Sequence, residues 1–289
     1  MVETSPNPVY RTGARRLDAP APLRLWHLAS FDAPTVAVVW TLAFGWAAGV
    51  RLPGWIPVLM ALVAWAVYLG DRLLDARAAL RRGNLGLLRE RHLFHWRHRR
   101  IFVPLGLAAT AAAACIVVAL MPAVARERDS VLGAAAVAYF AGVHSRRSLV
   151  PAFLAPLFSK ELLVGVLFTA ACALPALGRT DTRTIWPLAA ALVFFVLLAW
   201  LNCHSIELWE SSNPIRRPFP AAISLVLLGL ILSAALAHAQ PRLAALVLAG
   251  SVSSLLLALL DHHRDRLTPV ALRAAADLVL LTPVAVLFR

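Results

Sequence analysis

Asp71 and Asp75 are the first residues whose type and spacing could do chemistry. They follow a run from Trp55 to Leu69 that carries no charged side chain. Four residues apart, they lie one turn from each other on the same helix face. An ionisable pair at the end of an apolar span costs free energy unless something binds it, which marks a functional site. A second pair, Glu207 and Glu210, closes a later apolar run. These two also share a helix face, with Asn202 about 80° from Glu210 around the helix. Two acidic helix ends suit Mg²⁺, which takes near-octahedral oxygen ligands and is usually held by one or two carboxylates plus substrate phosphates. Arginines add bidentate contacts to phosphate oxygens. Such a set would hold a diphosphate. On a prenyl diphosphate it would stabilise the leaving-group charge while the C1–O bond ionises in a dry cavity. The plainer alternative pairs each acid with a nearby arginine: Asp71 or Asp75 with Arg72, or Glu207 with Arg216.

The elements that must position these acids are membrane helices. Hydrophobic residues make up 60% of the chain and the mean hydropathy is +0.73, values of an integral membrane protein rather than a soluble domain. Cutting the apolar runs at charges, Pro and Gly predicts about nine spans, near 33–50, 55–75, 101–121, 131–149, 152–175, 186–207, 218–238, 242–260 and 269–288. A polar segment, 1–24, precedes one all-α transmembrane domain, 25–289, and leads into it without a cleavable signal pattern. The net charge of +13 comes from arginines gathered in loops, which fits membrane topology and argues against nucleic acid. Cys115, Cys172 and Cys203 sit apart in apolar runs, as small buried hydrophobes rather than a disulfide or zinc framework.

Arginine-rich connections alternate along the chain. The N-terminal segment and the connections around 77–100, 146–147, 216–217 and 264–266 are the heavier ones. This predicts a cytoplasmic N-terminus and an outside C-terminus in a plasma membrane, such as the bacterial inner membrane. The ends of spans two and six, together with Arg146, Arg147 and Lys160, then share the cytoplasmic face.

Asp71-Arg72-Leu73-Leu74-Asp75 resembles the second half of the Asn-Asp-x-x-Asp-Arg-x-x-Asp signature of the UbiA superfamily of membrane prenyltransferases. Tyr139 through Arg147, then Lys160-Glu161, Gly165 and Phe168, are similar to that family's Tyr-x-x-x-(Lys/Arg) stretch and the Lys-x-x-x-x-Gly helix after it. The resemblance implies nine helices, with acidic motifs at the ends of the second and sixth. It further implies Mg²⁺-dependent transfer of a prenyl group from a prenyl diphosphate to a lipophilic acceptor, within membrane lipid. Asp71, Asp75, Glu207 and Glu210 would then be catalytic metal ligands. Arg72, Arg146, Arg147 and Lys160 would be the diphosphate cations, with Asn202, Tyr68 and Tyr139 on the substrate side. The family's Asn-Asp pair falls on Val67 and Tyr68, and its sixth-helix aspartates fall on Ser205 and Trp209. A homologue that binds an isoprenoid or a diphosphate lipid without catalysis therefore stands beside the enzyme.

The segment Arg89 to Arg100 is the other conspicuous stretch, with His92, His95 and His98 on one helical stripe. It suits an interfacial basic segment anchored by Phe94 and Trp96 among anionic head groups, or a lid over a diphosphate. With His144, His204 and Asp261-His262-His263 it also allows a third reading, a histidine-rich membrane di-iron enzyme.

Overall fold

A computed structural model of the chain describes residues 17–81, 83, 88–144, 160–210 and 217–287; for 140–144 and 182–183 it describes the backbone alone. The elements are α1 (Ala21–Leu28), α2 (Asp32–Ala47), α3 (Trp55–Arg81), α4 (Glu90–Arg97), α5 (Arg99–Leu120) and α6 (Ala123–His144), then α7 (Lys160–Leu177), α8 (Thr182–Glu210), α9 (Phe219–Leu236), α10 (Pro241–His263), α11 (Pro269–Leu278) and α12 (Val284–Leu287). Short 3-10 turns follow α10 and α11.

Among the described residues, seven helical stretches are long and apolar enough to cross a membrane: α3, α5, α7, α8, α9, α10 and the run from α11 through α12. The pair α1 and α2, bent by 87°, makes an eighth if it counts as one broken span. The remaining expected span, 131–149, falls on α6, which does not qualify. Arg126, Glu127, Arg128 and Asp129 occupy its first half, and the end of the expected span, from 145 onward, lies outside the described residues. The outward faces are greasy, with Ile231 on α9, Leu107 on α5 and Val193 on α8 all exposed. Helices apolar on every side are stable in lipid, where those faces meet acyl chains.

Within the bundle, Trp40 of α2 stacks on Phe195 of α8 at 3.8 Å between ring centres and donates its indole N–H to the Leu280 carbonyl. Glycines let helices close in without other driving forces. A Cβ on Gly250 or Gly229 would meet the Phe194 ring at 2.7 Å. One on Gly165 would stand 3.1 Å from the Val196 carbonyl oxygen, so α7 and α8 touch backbone to backbone there.

The break between α1 and α2 decides where the polar core goes. Ser30 takes a left-handed φ of +62°, a conformation that a non-glycine residue adopts only when its surroundings hold it there. Trp65 of α3 donates to the Ala29 carbonyl at 3.0 Å, and its ring stacks on Phe31. Trp26 bonds Thr35 across the bend. Asp32 starts α2, where a carboxylate suits the helix dipole, and accepts from the Ala33 amide. Pro34 sits in the same first turn, where a missing N–H costs nothing.

Residues ahead of the expected boundary at 24 also pack on the bundle. Leu17 exchanges backbone bonds with Arg266 and Thr268, so the bundle begins at least as early as Leu17. Thr268 also caps α11, accepting from the Ala271 amide just ahead of Pro269, the usual start chemistry of a helix. The cysteines divide: Cys172 is buried, Cys203 half-buried, and Cys115 exposed, contrary to its expected burial. α5 turns that face outward, where a thiol is apolar enough for lipid.

Candidate functional site

One end of the bundle collects the ends of α3 and α8, the starts of α7 and α11, and the short helix α4. Glu210, the last residue of α8, meets three arginines. Arg89 bonds one carboxylate oxygen; Arg273 at 2.8 Å and Arg91 at 3.7 Å approach the other. His92 Nε2 of α4 lies 3.8 Å from Asp75 of α3. α4 thus bridges the two acidic helix ends, with arginines at Glu210 and an imidazole at Asp75. Glu207 hydrogen-bonds Glu161 of α7, with Lys160 and Arg89 as the nearest positive charges. Tyr139 of α6 lies within electrostatic reach of Asp71, Glu161 and Cys203.

α4 is lodged rather than floating. Arg91, His92 and His95 are buried, and Arg24 of α1 pairs with Glu90 at its start. Burial, then the positive charge of Arg91, holds His92 far below the usual imidazole range, at about 3; burial pulls His95 down to about 4. Burial, with Arg273 and Arg72 close by, pulls Arg91 down to about 8. A guanidinium keeps its proton, so that crowding amounts to an unmet demand for negative charge. His92 Nδ1 and Arg273 Nε are buried without hydrogen-bond partners, at a cost of about 1–3 kcal/mol each unless a ligand or water meets them.

Beneath this mouth lies a buried polar network. Arg72, 3% exposed, donates to the His27 carbonyl at 3.1 Å and to Ser30 Oγ at 2.6 Å, and reaches Asp32 at 3.5 Å. His27 Nδ1 lies 2.7 Å from Asp32 Oδ2 and 3.9 Å from Asp277 Oδ2. His95 Nε2 bonds Ser30 Oγ, and its Nδ1 bonds the Arg91 carbonyl, which ties the network to α4. Asn202 of α8 donates to Asp277 of α11 at 3.3 Å. Asn202, Asp277 and Tyr68 line a cavity of about 40 Å³ whose other walls include Phe168, Phe195 and Cys203.

Several expected roles shift on this geometry. Tyr68 and Asn202 do share a cavity between α3 and α8. Glu210, expected as a metal ligand, has both carboxylate oxygens engaged by guanidinium groups. Arg72 points into the core and serves Ser30, His27 and Asp32 rather than a ligand at the mouth. Asp71 sits half-buried on α3, while Asp75 has a half-exposed side chain that is open to the mouth. Asp71, Asp75, Glu207 and Glu210 do not form a three-residue ligand group; among the described residues the group that does is His27, Asp32 and Asp277. Arg146 and Arg147 lie outside the described residues. The histidine stripe divides, with His95 buried and His98 bonded to its own helix at Phe94. His204 stacks on Trp200, and His262 meets His263 edge to face; among the described residues no histidine cluster suited to two irons forms.

The spans as drawn concealed His27, Asp32, Arg273 and Asp277. Asp32 fell one residue before the first span. Arg273 and Asp277 lie inside the ninth, where a lone acid and base in an apolar run are the signal that marks them. Compared with protein-family models, curated proteins and solved structures, the chain matches none.

Proposed function

We propose that this chain is a UbiA-like membrane protein of nine spans, with its N-terminus in the cytoplasm, that binds a prenyl diphosphate at the α4 mouth and transfers the prenyl group to a lipophilic acceptor. The observation that carries this reading is the cationic surplus around Glu210. Arg89, Arg91 and Arg273 share one carboxylate, and Arg91 and Arg273 are crowded and partly buried. A diphosphate brings the negative charge that these arginines lack, in a geometry that suits bidentate guanidinium contacts. Asp71 and Asp75, one turn apart beside the mouth, fit the pattern in which Mg²⁺ is held by a carboxylate pair and substrate phosphates. When bound, that ion would neutralise charge on the diphosphate oxygens. The chain's own contribution is positioning. Arg89, Arg91 and Arg273 grip the phosphates, α4 shields them from water, and the apolar walls by Phe168 and Phe195 take the start of the prenyl chain.

A second reading is supported by Glu210 itself: a carboxylate committed to arginines favours a binding protein for a diphosphate or isoprenoid lipid that does not catalyse. One experiment separates the two. Purified protein given Mg²⁺ and a labelled prenyl diphosphate is expected to release pyrophosphate, and Asp71→Asn is expected to abolish the release. Binding without release, unchanged in Asp71→Asn, would establish the second reading instead.

A further inference from the structure

We propose that His27, Asp32 and Asp277 form a binding site for a first-row divalent cation, Zn²⁺ or Mn²⁺, in the core of the bundle at the α1–α2 bend. The site is separate from the acidic helix ends and does not depend on prenyl transfer. Its three ligand atoms all lie within 4.8 Å of one another. Ligand atoms around a tetrahedral Zn²⁺ with bonds of about 2.1 Å stand roughly 3.4 Å apart. The observed His27–Asp32 and His27–Asp277 separations, 2.7 and 3.9 Å, bracket that spacing.

Charge favours the same conclusion. Asp32 and Asp277 each bring a carboxylate oxygen within 4.8 Å of the other, and two buried carboxylates that close are eased by a proton or a cation between them. Arg72 lies 3.5 Å from Asp32 and Arg273 within electrostatic reach of Asp277, and neither guanidinium is one of the three groups that converge on the proposed ion. One imidazole and two carboxylates make a mixed nitrogen and oxygen set that suits Zn²⁺, Mn²⁺ or Fe²⁺ better than Ca²⁺ or Cu⁺.

The independent pointer is Asn202. It is only 5% exposed, it contacts Asp277, and its amide oxygen is buried without a hydrogen-bond partner. An orphaned buried carbonyl costs about 1–3 kcal/mol, and beside this group it is a spare oxygen donor. The adjoining cavity of about 40 Å³ has room for water to fill a remaining coordination position. The bend supplies the reason for the strain at Ser30: it presents His27 and Asp32 side by side to α11.

The test uses the full chain in detergent, with its affinity tag removed, stripped by chelator, loaded with Zn²⁺ and cleared of free metal. We expect about one Zn²⁺ per chain by elemental analysis, and visible ligand-field absorption when Co²⁺ replaces it. His27→Gln and Asp277→Asn should each lower retained metal by about tenfold or more, whereas His262→Gln should not. Wild-type protein that keeps no metal, or metal kept unchanged by both variants, overturns the site. Should a variant fail to fold, thermal unfolding of the wild type decides: added Zn²⁺ raises the midpoint of a protein that binds it when folded, and no rise overturns the proposal.

Discussion

Glu210→Gln is the most informative single change, because two roles for that residue predict opposite results. The substitution keeps the shape of the side chain and removes the charge that holds Arg89, Arg91 and Arg273. If Glu210 is a tether, two consequences follow. Arg91 and Arg273 lose the carboxylate that pairs them, and stability falls by about 2–3 kcal/mol, less than the 3–5 kcal/mol lost when a fully buried pair is broken. A diphosphate at the mouth then no longer competes with the carboxylate. A unit negative charge about 6 Å from a phosphate costs about 3 kcal/mol at an effective dielectric of about 20. Halved for a wet mouth, that corresponds to roughly tenfold tighter binding. If Glu210 were instead a magnesium ligand, the same change would weaken Mg²⁺-dependent binding and leave stability nearly unchanged. The assay pairs thermal unfolding with calorimetric titration of a prenyl diphosphate, with and without Mg²⁺. Weaker binding at an unshifted midpoint would refute the tether and restore Glu210 to the metal site.

Other perturbations test the elements that support this mouth. Asp32→Ala should lower stability by about 3–5 kcal/mol, because it strands Arg72 and His27 in the core; a shift under about 1 kcal/mol in the unfolding midpoint would refute the buried network. pH should act through α4. His92 and His95 are neutral when folded, with pKa values pushed to about 3 and 4, whereas unfolded imidazoles protonate near 6.5. Stability should therefore be intact above pH ~6.5 and decline as pH falls from there toward 4, by at most about 1.4 kcal/mol per pH unit for each histidine. His95→Gln should flatten that decline in pH-dependent unfolding, and an unaltered slope would sink the assignment. Gly165→Val should cost about 1–3 kcal/mol by prising α7 from α8, measured as a lower midpoint, because the obstacle to a Cβ there is the backbone at Val196 and Trp200.

Lipid as solvent makes the helices legible along the chain. Each span must satisfy its own backbone and present apolar side chains outward, so uninterrupted hydrophobic runs mark α3, α5, α7, α8, α9 and α10 by length alone. The acids ending α3 and α8 stand out for the same reason, as charges at the limits of apolar runs. What the chain order does not contain is which polar groups meet. Asp32 and Asp277 are nearly the whole chain apart, and whether an arginine faces a substrate or a carboxylate depends on how helices rotate and cross. Arg72 looked like a diphosphate ligand because it sits between two aspartates, yet its own helix turns it inward to the α1–α2 bend. Periodicity along one helix says which residues share a face, and only the packing of all the helices says what that face touches. The cationic mouth around Glu210 and the His27, Asp32 and Asp277 group are products of that packing.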